Sequence, residues 1–345
     1  MSTDHPPART AGPRPTRREF LEIVAGVVAL GSGTLAMQQP GPAGIPVRPL
    51  GRTGVMIPIV GYGGWDSVAG KSDAESIALM HEAIDLGITF WDNAWEYHDG
   101  RAEEVMGRAF DTPRRRDQVF LMTKVCARDY EGARRQIEQS LRRLRTDRLD
   151  LLQFHAIQYK GDPQRIFEPD SGARRAVLEA QKAGKVRFVG FSGHMDPQTH
   201  LDMIGMTDAW DTVQMPLNIL DAQYRSFEQR VLPVCREKQI GVLGMKSLAG
   251  QNGRIARDVA VSAELCRRYA LSLPISSLVC GMQRREEVRQ MASIARDFRP
   301  LTREQVQELL AAARPAAGDG HIEVYKDFAS GYGCSYHARA LKASA

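Results

Sequence analysis

Eight short apolar segments alternate with segments of helical periodicity between Ile57 and Ala295, and no other feature restricts the fold as much. Nearly continuous apolar runs, such as LDLLQFH at Leu149 and VRFVGFS at Val186, are typical of strands buried on both faces. Eight strand–helix units in one α/β domain predict a closed parallel (β/α)8 TIM barrel. A doubly wound open sheet is the alternative arrangement of the same units.

Two flanking segments are predicted to extend this barrel within one domain, 47–345, because no linker interrupts it. The segment VRPLGRTGVM (47–56) predicts a short N-terminal hairpin, and 302–313 predicts an added C-terminal helix. An aromatic-rich loop follows from Gly318, and such a loop is expected either to cover the site or to pack as a tail. Its candidate substrate contacts are Tyr332, Tyr336 and His337.

The N-terminal segment 1–36 has the pattern of a twin-arginine signal peptide. Arg17 and Arg18 stand in TRREFL, an apolar run covers 23–35, and Ala36 offers a small residue for cleavage. The run contains glycines and is shorter than the roughly 20 residues that span a bilayer. We therefore expect export by the twin-arginine machinery to a periplasmic or other extracytoplasmic location, with the signal removed or retained as a membrane anchor.

Composition excludes several other interpretations. Residues 37–46 are rich in Pro and Gly and predict a flexible linker. The net charge of +5 is mild, and the arginine clusters lack interleaved aromatics, so no nucleic-acid partner is expected. The five cysteines show no C-x-x-C spacing, which predicts neither a disulfide framework nor a metal site. They are Cys126, Cys235, Cys266, Cys280 and Cys334.

Polar residues stand at the ends of the predicted strands, and Tyr97 follows five residues after the first of them. The carboxyl ends of barrel strands are where such folds carry their chemistry, although any one residue would suit a solvated strand end. The recurrence over many strands therefore predicts an active site at this end of the barrel. In chain order these residues are Asp92, Lys124, His155, Ser192, Gln214 and Lys246.

Three of these segments resemble the aldo/keto reductase family. WDNAWEYHDGRAEEVMG is similar to its Asp-x4-Tyr segment, LMTK to its lysine strand and LLQFH to its histidine strand, in the same order. GKVRFVGFSGH, TVQMPLN and GMKSLAG resemble its later strands, so the likeness covers 47–295. The resemblance implies an NAD(P)-dependent oxidoreductase that transfers hydride between a nicotinamide cofactor and a small carbonyl or alcohol substrate.

The resemblance implies a catalytic role for four residues. Tyr97 would be the general acid and base, because carbonyl reduction builds negative charge on oxygen and needs a proton donor. Lys124 would lower the pKa of that phenol, which is about 10 when unperturbed, and Asp92 would hold the lysine charged. His155 would orient the carbonyl oxygen.

The resemblance also implies a cofactor site. Ser192 and Gln214 would bind the nicotinamide carboxamide, although Gly193 stands where the family often has Asn and Met245 where it often has a stacking aromatic. NADP is favoured over NAD because Arg284, or the next arginine, would pair with a 2′-phosphate. The adenine-binding Glu-Asn of the family is replaced by Gln-Met. The full predicted set is Ser192, Gln214, Met245, Lys246, Leu248, Gly281 and Arg284.

Trp65 and Trp95 are predicted walls of the substrate pocket. Two alternatives of other classes remain for the same barrel. One is a nicotinamide-nucleotide-binding or interaction module with little turnover. The other is a metal-dependent hydrolase. Substrate, reaction direction and oligomeric state do not follow from the sequence. The hydrolase would use Asp92, Glu96, His98, His155 and His194.

Overall fold

The computed structural model describes residues 39–250, 253–330 and 332–337, which form two sheets. A small antiparallel sheet contains β1 (Gln39–Pro40), β2 (Pro46–Pro49) and β3 (Met56–Pro58). A closed barrel contains the remaining eight strands. These are β4 (Val60–Gly63), β5 (Phe90–Asp92), β6 (Phe120–Val125), β7 (Leu149–Phe154), β8 (Val186–Ser192), β9 (Thr212–Pro216), β10 (Gly241–Met245) and β11 (Ser277–Gly281).

The barrel closes because its last strand pairs with its first. Parallel pairing of β11 with β4 sets Cys280 opposite Tyr62, and every other barrel neighbour is also parallel. The prediction of a (β/α)8 barrel is therefore confirmed, and the open-sheet alternative is wrong. Leu50 and Ile57 of the N-terminal sheet are buried in one cluster with Phe90 of β5, so this sheet packs against the end of the barrel opposite the site described below.

Helices cover the outside of the barrel and begin at identifiable caps. The helix Asp73–Asp85 starts at a capping box in which Ser72 accepts from the Glu75 amide while Glu75 accepts from the Ser72 amide. Within the described residues, none of the helices is long and apolar enough to cross a membrane. The longer ones are Asp73–Asp85, Arg101–Ala109, Tyr130–Arg143, Ala173–Lys182, Pro197–Gly205, Ala263–Ser272, Arg285–Arg296 and the added helix Arg303–Ala317. Shorter ones are Gly64–Val68, Pro113–Asp117, Asp162–Phe167, Phe227–Arg230, Leu232–Glu237 and Arg254–Asp258.

The N-terminal segment differs from its prediction. The predicted linker is ordered from residue 39, because Gln39 pairs with Val47 and the side chain of Ile45 is fully buried. The predicted first barrel strand divides at Ile59, whose amide donates to the Pro46 carbonyl at 2.9 Å. Residues before the division join the small sheet and those after it join the barrel. The signal peptide predicted for 1–36 lies outside the described residues.

A buried ion network fastens the C-terminal loop to the barrel. The ammonium of Lys326 donates to Asp221 at 2.6 Å, to Glu323 at 2.9 Å and to the Tyr224 carbonyl at 2.7 Å. The side chains of Lys326 and Asp221 are essentially inaccessible. Because a buried charge is tolerated only with close partners, this network fixes the start of the loop at one place on the barrel.

Glu228, next to this network, provides a pH-dependent test of the packing. Burial, with a further contribution from Asp221, raises the pKa of Glu228 to about 8, although the Tyr269 hydroxyl donates to it at 2.7 Å. The folded state therefore keeps a proton that the unfolded chain loses near pH 4.5, so stability falls as pH rises from that value to about 8. We expect Glu228→Gln to gain stability on the wild type across this window, at up to about 1.4 kcal/mol per pH unit.

Urea unfolding of both proteins at several pH values measures this difference. Glu179→Gln is the matched control, because Glu179 accepts a similar 2.8 Å bond from Tyr130 but is exposed. Hydrogen bonds lower the pKa of Glu179, so this carboxylate contributes nearly equally to stability at every pH between 4.5 and 8. A difference between wild type and Glu228→Gln that stays flat with pH would contradict the buried-acid interpretation.

Candidate active site

The carboxyl ends of β5 to β7 bring together the residues predicted to be catalytic. Asp92 is the last residue of β5, Lys124 lies near the end of β6, and His155 follows β7 directly. Parallel strands in register place these ends at one mouth of the barrel. The side chains of Asp92, Lys124 and His155 are all buried.

Lys124 is held by several oxygen atoms. Its ammonium forms an ion pair with Asp92, donates to the Asn93 carbonyl at 2.7 Å and lies 3.5 Å from the Tyr97 hydroxyl oxygen. Burial lowers the pKa of Lys124, and the charge of Asp92 opposes that shift. The arrangement is a buried cation fixed on one side by a carboxylate and facing a phenol on the other.

Tyr97 is positioned by an unusual turn after β5. His98 and Asp99 both have left-handed backbone angles, with φ of 52° and 54°. Gly100 follows at φ 95° and packs so closely on the Arg143 guanidinium that a Cβ would lie 2.3 Å from its central carbon. Such conformations cost free energy in ordinary residues and concentrate at functional sites. The turn directs Tyr97 toward Lys124.

The electrostatic environment of Tyr97 differs from the prediction. Burial raises the pKa of Tyr97 well above its usual value, and the negative charges of Asp92 and Glu96 raise it further. Burial and the two carboxylates therefore outweigh the lowering of the pKa expected from Lys124, which is at the outer limit of hydrogen-bond distance from the phenol and is paired with Asp92. The phenol keeps its proton.

His155 packs edge-on against Tyr97, with ring centroids 5.5 Å apart. Burial lowers the pKa of His155 well below its usual value, and the nearby charge of Lys124 lowers it further. The imidazole is therefore neutral. Its Nδ1 lies 3.5 Å from the Cys126 sulfur and 3.4 Å from a Glu96 oxygen.

Gln214, in the middle of β9, and Ser192, the last residue of β8, stand beside this group. The amide nitrogen of Gln214 donates to Asp92 at 2.9 Å, while its buried amide oxygen has no hydrogen-bond partner among the described residues. The Ser192 hydroxyl accepts from the Ala156 amide at 3.3 Å. A buried acceptor without a partner fits a ligand that brings an N–H donor, such as a carboxamide.

The packing around Gly193 explains why this position departs from the family pattern. A Cβ at this position would lie 2.5 Å from the His200 ring and 2.6 Å from the Ile157 carbonyl oxygen. The neighbouring backbone leaves no room for the Asn side chain that the family often has there. The packing around His200 therefore requires glycine.

Replacing Gly193 with Ala tests this packing. Because the overlap involves backbone, we expect the variant to lose about 1–3 kcal/mol of unfolding free energy, measured by urea titration. Gly205→Ala is the matched control, since a Cβ there meets no atom of the described residues within 4 Å and the change suits a helix. Equal stabilities of the two variants would contradict the steric account.

The loop after β10 carries three predicted cofactor residues and contacts the C-terminal loop. Met245 and Leu248 are half-buried, and Lys246 adopts a left-handed φ of 57°. The Lys246 ammonium donates to the Tyr332 hydroxyl at 2.7 Å and lies 4.6 Å from that ring's centroid. Tyr332, a candidate substrate contact, therefore lies beside a predicted cofactor residue.

Gly281 ends β11, the strand between β10 and β4, and Arg284 follows it. A Cβ at Gly281 would overlap the Asp66 carboxylate, so this position allows close chain approach. Arg284 is mostly exposed, pairs with Glu287 at 2.7 Å and lines a surface cavity of about 460 Å³. The same cavity is lined by Lys71, Glu75, Ala78, Leu79, Gln283 and Arg285. Three cations and one carboxylate therefore line the cavity, and Arg285, like Arg284, is already paired with a glutamate.

The two predicted pocket tryptophans have different environments. Trp65 is half-exposed and packs edge-on against Tyr97, with centroids 5.3 Å apart. Trp95 donates from its indole to Gln139 at 2.7 Å and packs edge-on against Tyr336 at 5.6 Å. Trp65 is therefore next to the site, whereas Trp95 joins the barrel to the C-terminal loop.

The residues of the alternative hydrolase do not assemble into one ligand set. His98 contacts the Trp65 carbonyl at 2.8 Å, and His194 contacts the Tyr325 carbonyl at 3.2 Å. Asp92 is paired with Lys124. In the described part of the chain, the potential ligands that cluster instead include Glu96 and His155.

Some residues at the site were not predicted. Asn93 contributes a carbonyl to Lys124, and its place directly after Asp92 was the available signal. Cys126 follows the lysine strand and Cys334 comes from the C-terminal loop, and both are buried near His155. No spacing signal connects these two cysteines, because they are far apart in the sequence.

Comparison with known proteins gives the family. The model of the aldo/keto reductase family matches residues 59–258. The chain is 32% identical over 210 residues to aldo-keto reductase YhdN of Bacillus subtilis, covering 57% of this chain and 60% of that protein. It is 33% identical over 229 residues to methylglyoxal reductase YeaE of Escherichia coli, covering 63% and 74% respectively. The matched region thus spans less than two thirds of YhdN.

A solved structure shows the same fold. Aldo-keto reductase AKR11C1 of Bacillus halodurans, in its holo form, aligns with a TM-score of 0.66 at 22% identity, covering 81% of this chain and all of that one. Three observations agree: the closed barrel, the meeting of Asp92, Lys124, Tyr97 and His155 at its mouth, and a family match over more than half of the sequence. The chain belongs to the aldo/keto reductase family, which is a family of oxidoreductases.

Proposed function

We propose that this protein transfers hydride between a nicotinamide cofactor and a small carbonyl or alcohol substrate, with Tyr97 as the general acid and base. The observation that carries the proposal is the chain from buried Asp92 and Lys124 to the half-buried Tyr97, with the neutral imidazole of His155 packed on the phenol. The cofactor, when bound, supplies the hydride. All other steps fall to the side chains of this site.

In the reducing direction, the substrate oxygen becomes more basic as it gains negative charge. Tyr97 keeps its proton because burial raises the pKa of the phenol, so it is available as a donor to an alkoxide, which is a stronger base. Lys124 then stabilises the phenolate from 3.5 Å, and Asp92 keeps the ammonium in place. His155 supplies a neutral imidazole to orient the substrate oxygen.

The cofactor site proposed here uses the predicted set around Ser192 and Gln214. The unpartnered oxygen of Gln214 suits the amide of a nicotinamide, and this fit supports a nicotinamide cofactor in particular. NADP is the proposed form because the cavity at Arg284 also contains Lys71. Pairing with a 2′-phosphate would replace the surface ion pair with Glu287, which is worth at most about 1 kcal/mol.

Nucleotide fluorescence titration with NADPH and NADH tests the cofactor proposal. Arg284→Ala is expected to weaken NADPH binding about 10-fold, as loss of one charged hydrogen bond implies, and to leave NADH binding unchanged. Arg289→Ala is the matched control, since Arg289 lies on the same helix and pairs with Glu82. Tighter binding of NADH than of NADPH by the wild type would contradict the choice of NADP.

A carbonyl panel in the same assay separates an enzyme from a binding module. Methylglyoxal is a sensible first substrate because the relative YeaE is named for its reduction. We expect turnover with at least one small aldehyde or ketone. Tight nucleotide binding without turnover of any substrate would favour the module.

We also propose that the chain is exported by the twin-arginine route, on the strength of Arg17, Arg18 and the apolar run that follows. This route would carry the folded barrel with its nucleotide already bound. Cell fractionation with Arg17→Lys/Arg18→Lys beside the wild type tests export. Equal recovery of both proteins from the cytoplasm would contradict it.

A further inference from the structure

Four potential metal ligands from separate segments meet beside the catalytic group. Glu96, Cys126, His155 and Cys334 each offer one ligand atom, and these atoms lie within 4.8 Å of one another. The first three follow β5, β6 and β7, whereas the fourth comes from the C-terminal loop. The four residues are at most 9% exposed.

Two distances from His155 match the edges of a four-coordinate metal site. His155 Nδ1 is 3.5 Å from the Cys126 sulfur and 3.4 Å from a Glu96 oxygen. Tetrahedral zinc with its usual bond lengths separates sulfur from nitrogen by about 3.5 Å and nitrogen from oxygen by about 3.3 Å. A single nitrogen cannot satisfy both neighbours with one hydrogen bond, whereas one cation between the ligands satisfies them together.

The surrounding residues hold these ligands in place. The Arg128 guanidinium donates to the carbonyls of Cys126 at 3.1 Å and His155 at 2.8 Å, and is itself paired with Asp162. The Ser335 hydroxyl donates to the second oxygen of Glu96 at 2.9 Å. Metal ligands in proteins are characteristically oriented by such outer hydrogen bonds.

We propose that Glu96, Cys126, His155 and Cys334 bind one zinc-type divalent cation. Thiolate and imidazole ligands favour zinc over magnesium or calcium, and a Cys₂HisGlu set suits tetrahedral coordination. Binding releases the two thiol protons to solvent and changes no other bond or oxidation state. Four protein ligands leave no open position, so the ion is structural.

The ion would have two consequences for the site. Coordination through Nδ1 leaves the proton of the neutral His155 ring on Nε2, which makes that atom a hydrogen-bond donor. Coordination by Cys334 would also tie the C-terminal loop to the ends of β6 and β7. The absence of C-x-x-C spacing predicted no metal site, but spacing cannot report ligands that only the fold brings together.

A disulfide between Cys126 and Cys334 would compete with metal binding for the same two sulfur atoms. The two thiols are neighbours, and burial together with Cys334 raises the pKa of the Cys126 thiol well above its usual value. Oxidation would need an external oxidant and would remove both sulfur ligands. The two states are therefore mutually exclusive, and the experiment must distinguish them.

Metal analysis of the full chain tests the proposal. The protein is purified with reductant, incubated with Zn²⁺, passed into metal-free buffer and analysed by inductively coupled plasma mass spectrometry. We expect about one equivalent of zinc in the wild type, and loss of most of it in Cys126→Ala and Cys334→Ala. Cys235→Ala is the matched control, because Cys235 is equally buried but outside the cluster.

Replacement of zinc by Co²⁺ gives an independent readout, because thiolate-bound tetrahedral Co²⁺ absorbs strongly in the visible and near-ultraviolet. The absorption should be present in the wild type and absent from Cys334→Ala, with circular dichroism showing that both are folded. Retention of no zinc by the reduced wild type, or equal retention by the Cys126→Ala/Cys334→Ala variant, would overturn the proposal. So would a disulfide that persists in reductant with zinc present. Neither readout uses nucleotide or substrate, so a negative result for metal binding is distinguishable from a negative result for the proposed hydride transfer.

Discussion

Tyr97→Phe is expected to reduce carbonyl turnover by about 10²- to 10⁴-fold, the range that general acid catalysis contributes. Phe preserves the ring that packs against Trp65 and His155 and removes only the hydroxyl facing Lys124. Nucleotide affinity should therefore stay within about twofold of the wild type, because no uniform binding contact is lost. Steady-state kinetics and fluorescence titration measure the two quantities separately.

Tyr130→Phe is the matched control for this substitution. The Tyr130 hydroxyl is likewise hydrogen-bonded, since it donates to the Glu179 carboxylate at 2.8 Å, but it lies on the surface. We expect its turnover to equal that of the wild type. Unchanged turnover in Tyr97→Phe would remove Tyr97 from the mechanism, whatever the cofactor.

Lys124→Met is expected to impair both stability and activity, because it leaves Asp92 buried without its cation. Breaking one side of a buried ion pair typically costs about 3–5 kcal/mol of unfolding free energy. The Gln214 amide would be the remaining side-chain donor to Asp92 seen in the described residues. Turnover should also fall, since the phenolate formed on Tyr97 would lose the nearby positive charge.

The Asp92→Asn/Lys124→Met variant separates these two effects. Removing both charges eliminates the uncompensated carboxylate, so urea unfolding should show recovery of most of the lost stability. Turnover should remain as low as in Lys124→Met, because the cation is still missing. A variant that recovers turnover together with stability would show that Lys124 has only a structural role.

The strand-end part of the site was predictable from the sequence because it follows from local patterns. Asp92, Lys124 and His155 were identified at the ends of apolar runs, and a closed barrel necessarily brings such ends together. Barrel closure itself followed from eight repeated units. These inferences needed only periodicity and order along the chain.

The remaining features depend on tertiary packing, which a local pattern does not encode. The direction of the pKa shift at Tyr97 is set mainly by burial, which depends on every segment around the phenol. The need for glycine at position 193 comes from His200 and the Ile157 carbonyl. The approach of Cys334 to Cys126 depends on how the C-terminal loop is fastened through Lys326. None of these contacts leaves a spacing signal.

Hydride transfer from a nicotinamide can be followed with an isotope label. The full chain is incubated with NADPH carrying deuterium in both C4 positions and with small aldehydes, and the alcohol products are analysed by mass spectrometry. We predict one deuterium on the former carbonyl carbon in the wild-type product and little product from Tyr97→Phe. Alcohol that forms without deuterium, or nucleotide that binds while no aldehyde is reduced, would contradict the account.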